Sequence, residues 1–106
     1  MWNENDTMLN VMDENIIFAN KYPLVCPVCN ASSTHLYLHR FNPEDSMGAA
    51  WVWCSHCKSY VHTQFRIPSN WVNLNTLDED MLESTPDYLE QSADGIDNHI
   101  NNMVSI

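Results

Sequence analysis

A chain of 106 residues with 14 Asp and Glu against 4 Lys and Arg carries a formal net charge of −10 at pH 7. That balance argues against a phosphate-tracking surface, because nucleic-acid binders cluster Lys and Arg along the polyanion. The length suits one domain, no run of about 18 apolar residues marks a membrane-spanning helix, and two glycines are too few for a glycine-rich phosphate cradle.

The charge is unevenly spread. Residues 1–20 hold Glu4, Asp6, Asp13 and Glu14. Residues 21–71 hold all four bases (Lys21, Arg40, Lys58 and Arg66) against Glu44 and Asp45. Residues 72–106 hold Asp78, Glu79, Asp80, Glu83, Asp87, Glu90, Asp94 and Asp97. Two acidic flanks around a nearly neutral centre suggest three parts: an N-terminal amphipathic helix over 1–20, a central unit over 21–71, and an acidic helical tail over 72–106 that packs on the centre. In the first part Asp6 is a candidate N-cap. Leu9, Met12 and Ile16 fall at helical spacing, with Met8, Val11 and Ile17 beside them.

The centre is organised by two short turns, Cys26-Pro27-Val28-Cys29 and Cys54-Ser55-His56-Cys57, with 24 residues between them. These are all the cysteines of the chain. A Cys-x-x-Cys turn brings two sulfurs near enough to share one ion, and two such turns supply the four thiolates of a tetrahedral zinc site. Iron in the same cage, as in rubredoxin-like proteins, is the less favoured occupant, and softness alone does not separate the two. Two disulfides would need an oxidising compartment, and no apolar leader routes the chain to one, so reducing cytosol is the expected setting. Trp53-Cys54-Ser55-His56-Cys57 also resembles the active-site motif of thioredoxin-like oxidoreductases, but that motif opens a helix, whereas residues 58–65 alternate like a strand. His56 and His62 lie near enough in sequence to ligate, yet four sulfurs already complete the shell.

Three strands follow from alternation. Residues 34–41 put Leu36 and Leu38 on one face and Tyr37, His39 and Phe41 on the other. Residues 49–53 set Trp51 and Trp53 against Val52. Residues 59–67 set Tyr60, His62 and Gln64 against Val61, Thr63 and Phe65. Pro23 and Pro27 stiffen the first knuckle, and residues 42–48 carry turn chemistry. His35 and His39 share a strand face, which reads as solvent-facing. Residues 22–67 therefore resemble a zinc ribbon, on the strength of the two cysteine motifs and the strands between and after them, and residues 51–60 resemble small uncharacterised bacterial zinc-ribbon proteins. The resemblance implies an α+β fold: a three-stranded antiparallel sheet with two knuckles, flanked by N- and C-terminal helices, and Zn2+ held by Cys26, Cys29, Cys54 and Cys57. It implies little about function, because ribbons serve many roles.

In the tail, Thr76 and Glu79 fit a capping box before Leu77, Met81 and Leu82. Thr85-Pro86 fits the start of a second short helix, through Tyr88 and Leu89 to about Ser92. Gly95 and the Asn-rich stretch 98–102 suggest fraying, with Ile96, Ile100, Met103 and Val104 able to form a last turn.

A four-thiolate site leaves no open coordination position. No nucleophile elbow accompanies the Ser, His and Asp of the chain, so a non-catalytic role is expected. An acidic surface attracts basic proteins and speeds their encounter. The expected function is a zinc-stabilised protein-binding module, in concrete form an immunity- or inhibitor-type protein that neutralises a basic partner such as a nuclease toxin. Asp78, Glu79, Asp80, Glu83 and Asp87, with the aromatics Trp51, Trp53 and Tyr60, are the candidate partner surface. The alternative is a nucleic-acid- or transcription-machinery-associated ribbon that uses Arg40, Lys58, Arg66 and the tryptophans.

Overall fold

The computed structural model describes residues 2–104; residues 1, 105 and 106 and the side chains of Glu14 and Val104 lie outside the description. The expectation that Val104 packs therefore lies outside the described residues.

The central alternation builds three antiparallel strands: β2 (Thr34–His39), β3 (Met47–Cys54) and β4 (Ser59–Arg66). A fourth, two-residue strand, β1 (Asn3–Glu4), lies parallel to β4. The order is β1-β4-β3-β2, so the sheet is mixed and not a pure three-stranded antiparallel ribbon. Register sets the faces. One face carries the rows His35–Trp53–Tyr60 and Tyr37–Trp51–His62, and the other carries Leu36–Val52–Val61. Within these rows side chains sit directly opposite across the strands, close enough to interact. Tyr37 stacks with Trp51 and Trp51 with His62, at ring separations of 6.3 and 4.6 Å.

The expected helix over 1–20 breaks into pieces. Asn5 caps a 3-10 helix (Asp6–Val11) by accepting from the Thr7 N–H, and Asp13 caps α1 (Glu14–Ile17) by accepting from the Asn15 N–H. Asp and Asn compete for backbone N–H groups and so favour caps over helix interiors. Here that competition splits one amphipathic stretch into two short ones. The split also redirects the apolar side chains. Met8, Val11 and Ile17 are buried, while Leu9, expected on the buried stripe, is exposed. Residues 3–4 precede these caps and join the sheet, with the Asn3 N–H donating to Lys58 O and the Asn5 N–H to Tyr60 O.

The tail differs in the same way. The capping box expected at Thr76 gives way to a 3-10 turn (Glu79–Met81) capped by Asp78. The short helix α2 (Asp87–Glu90) follows Pro86 as expected. The stretch expected to fray is α3 (Ala93–Val104), the longest helix described. Its buried residues Ala93, Ile96 and Ile100 recur at helical spacing and continue the register of buried Leu89. Gly95 faces open space on the outer side. The helix is thus held by its apolar stripe despite the poor helix formers around it. It packs on β2, and together the helices and loops bury every residue of that strand. The chain is a small α+β fold, and no described helix is long and apolar enough to cross a membrane.

Candidate metal centre

Each knuckle is shaped by its own backbone. In the first, the Asn30 N–H donates back to Cys26 O at 2.9 Å and the Cys26 N–H to Ala31 O at 2.8 Å. In the second, the Lys58 N–H donates to Cys54 O at 3.0 Å. Asn30 and Lys58, each one residue past the second cysteine, adopt φ of 66° and 62°. That left-handed residue turns the chain away so that both sulfurs point inward. Asn accepts the conformation readily, and Lys does so at some cost. The strands then set the distance between knuckles: Cys54 ends β3 opposite Thr34 of β2, and the Ser55 N–H donates to Ser33 O.

The result brings all four cysteine sulfurs within 4.8 Å of one another, the only such His/Cys/Asp/Glu cluster among the described residues. Cys26 Sγ lies 3.8 Å from Cys57 Sγ, and Cys29 Sγ lies 3.8 Å from Cys54 Sγ. A tetrahedron with metal–sulfur bonds of about 2.3 Å has sulfur–sulfur edges of about 3.8 Å. The spacing therefore fits an ion and is far outside the roughly 2.0 Å of a disulfide; all four thiols are free. Backbone N–H groups point at the sulfurs, from Val28 to Cys26 at 3.4 Å and from Cys57 to Cys54 at 3.5 Å. Such donors stabilise thiolates.

The thiols respond unequally. Burial raises Cys26, but the N–H groups of Cys29 and Val28 outweigh it and bring the thiol down to about 7. Burial pushes Cys54 up to about 12, and the adjacent Cys26 and Cys29 sulfurs add to this. At Cys29 the Ala31 N–H pulls the thiol down, yet burial and the sulfurs of Cys57 and Cys26 prevail and raise it. Four thiols crowded into one place oppose one another's ionisation, and a divalent cation removes that opposition.

The histidines take other positions. His56 is exposed. His62 stacks on Trp51 and places Nδ1 3.1 Å from Ala50 O. His35 and His39, expected to face solvent, are both buried, because α3 and the 71–83 segment cover their face. His35 holds the most connected polar cluster. Its Nδ1 lies 2.9 Å from both carboxylate oxygens of Asp97, and its Nε2 lies 2.9 Å from Ser55 Oγ. Ser55 Oγ in turn donates to Glu90 Oε1 at 2.7 Å, and Glu90 Oε2 lies 3.7 Å from Lys58 Nζ. The cluster ties the second knuckle to α2 and α3. Asp97, one of the acids of the tail, is buried. A buried carboxylate needs a partner, and that partner is 62 residues away in the chain, beyond the reach of any local pattern.

The candidate partner surface separates into three groups. Trp51 and Trp53 are 2% and 0% exposed, so neither can meet a partner; they are core, because the tail covers their face and the Trp51 indole N–H donates to Glu83 O at 2.6 Å. Asp87 already accepts two hydrogen bonds at the surface, from the Trp2 indole N–H at 2.6 Å and the Thr85 hydroxyl at 2.8 Å. Tyr60 is half-buried with Trp2 edge-on, and Asp78 caps the Asp80 N–H. Asp78, Glu79, Asp80, Glu83 and Asp87 are all exposed.

No family model, curated protein sequence or solved structure matches the chain.

Proposed function

We propose that Cys26, Cys29, Cys54 and Cys57 hold a zinc ion in a zinc-ribbon arrangement, and that the protein is a non-catalytic binding module whose acidic surface recognises a basic protein. The observation that carries the reading is the closed set of four converging thiols. A zinc ion there would cross-link the two knuckles and have no free position for substrate or water. The protein's own residues contribute the N–H donors, the left-handed turns and the His35 cluster that fix the knuckles in place.

Two further features support a binding role. Ser55, His35 and Asp97 stand in the order of a hydrolytic triad, but the single Ser55 hydroxyl proton faces two acceptors, one of them the Glu90 carboxylate. Its backbone N–H, a usual oxyanion donor, is taken by Ser33 O. The constellation therefore reads as a tie between layers. The bases also count against nucleic acid. Arg40 donates to Pro68 O at 2.8 Å and reaches Trp71 O, and Lys58 lies against Glu90 and over the Trp2 ring. Two of the four cations are thus occupied internally, which leaves little to neutralise phosphates. An inhibitor that covers the basic groove of a nuclease is one concrete form of the reading.

Metal analysis of the purified protein tests the first half. One zinc per chain is expected, lost in Cys26→Ser and Cys57→Ser with a lowered thermal transition and release of the knuckles, because metal binding and local folding are coupled at such sites. Iron, or an unchanged transition after chelation, would overturn it. Affinity capture from the native host at low and moderate salt, followed by reconstitution with the captured protein alone, tests the second half. A basic protein that binds directly is expected; recovery of nucleic acid in its place refutes the reading.

A further inference from the structure

Between the β3–β4 surface and the 79–84 segment runs an open groove of about 810 Å³. Its floor is the His62 ring, which lies flat on the buried Trp51 ring with its Nδ1 against Ala50 O, while the Trp51 indole N–H is held by Glu83 O. Its walls mix apolar side chains with the polar Ser46, Thr63, Gln64 and Ser84. Phe41 is 54% exposed and Met47 48%, and Leu82 joins them from the far side. Its remaining charged lining is Asp45, Glu79 and Glu83, and no Lys or Arg lines it.

Among the described residues, no Lys or Arg forms an ion pair with those carboxylates. Outside the lining, His39 places Nε2 3.7 Å from Glu79 Oε2. Burial depresses His39 more than Glu79 raises it, so its pKa is lowered and its ring stays neutral near pH 7. We propose that this groove is a docking site for an extended basic segment of a partner protein, in which Arg or Lys alternates with a large apolar side chain. The apolar side chain sits between Phe41 and Met47 over the His62 ring, and the cations reach Asp45, Glu79 and Glu83. Charge complementarity selects this occupant. A second copy of the chain, at −10, would bring like charge to the rim. The proposal rests on the protein-binding reading above and gives it an address.

Fluorescence anisotropy on the zinc-loaded protein tests it, with labelled short peptides alternating Arg–Leu, Arg–Ser and Glu–Leu, and a single-stranded DNA oligonucleotide. The Arg–Leu peptide is expected to bind tightest. The rim variant Glu79→Gln/Glu83→Gln should weaken it about tenfold, the sum of two partly exposed ion pairs. The charge-matched variant Glu4→Gln/Asp94→Asn, which alters exposed acids outside the groove, should change it less than about twofold, as distant screened charges do. Met47→Ser should reduce the preference for Arg–Leu over Arg–Ser. Equal losses in the two charge variants would overturn the groove while leaving a diffuse acidic binding surface standing. Binding of DNA but of no basic peptide would overturn both.

Discussion

Asp97 and Gly95 are two residues apart on α3 and have opposite fates, which shows how little residue identity alone decides. Asp97 is buried against His35, whereas Gly95 looks outward with nothing within 4 Å of the position a Cβ would take. Gly95→Ala should therefore stabilise the protein by about 0.5–1 kcal/mol, the difference in helix propensity. At Gly48 an added Cβ would lie 2.3 Å from His39 O and 2.9 Å from the Ile67 side chain. Gly48→Ala should destabilise by about 1–3 kcal/mol, the usual cost of overpacking. Urea midpoints of the two variants check both signs. His39 has a consequence in acid. Its pKa is lowered by burial, so the unfolded chain binds the proton more readily, and stability falls as pH drops below the ordinary histidine value of about 6.5. His39→Gln should lose part of that drop, read as the difference in urea midpoint between neutral and mildly acid buffer for the two proteins.

The elements were legible in proportion to how locally they are specified. The two Cys-x-x-Cys turns carry their geometry within four residues, and β2, β3 and β4 announce themselves by alternation. Helices at both ends were misjudged because short-range signals compete. Asn5 and Asp13 cap where a continuous helix was expected, and Gly95 with its Asn neighbours suggested fraying where Ile96 and Ile100 hold a full helix in place. The covering of the aromatic face was invisible for a different reason: its contacts join distant parts of the chain. Asn73 is one such joint. Its Oδ1 accepts from the Arg40 N–H at 3.0 Å and the Trp71 indole at 3.2 Å, and its Nδ2 donates to Arg40 O at 2.7 Å. Asn73→Ala would leave the Arg40 backbone and the buried Trp71 indole without these partners. A loss of about 1–3 kcal/mol is expected, measured by thermal unfolding, with faster amide exchange at the end of β2.

For the molecule as a whole, the core is larger than the cysteine pattern suggested. Trp53, Trp71, Tyr37, Met8 and Ile17 are among its largest fully buried side chains, and they come from the sheet, the N-terminal arm and the segment that leads into the tail. The four-cysteine cluster therefore sits at one end of a packed body. Chelation should release the knuckles first, and the Leu38–Ala50–Thr63 row, four residues along β3 from Cys54 in the middle of the sheet, should keep its hydrogen-exchange protection longest.

The pairing of β1 with β4 sets a timetable for assembly. Asn3 and Glu4 have no strand to join until Ser59 and Tyr60 exist, and the Trp2 indole meets its acceptor only when Asp87 has been made, 85 positions later. Closing so long a loop is slow and comes after nearer contacts. During translation the stretch around Trp2 would stay unsettled while the knuckles and their sheet take shape, and it would fasten against them as one of the last events.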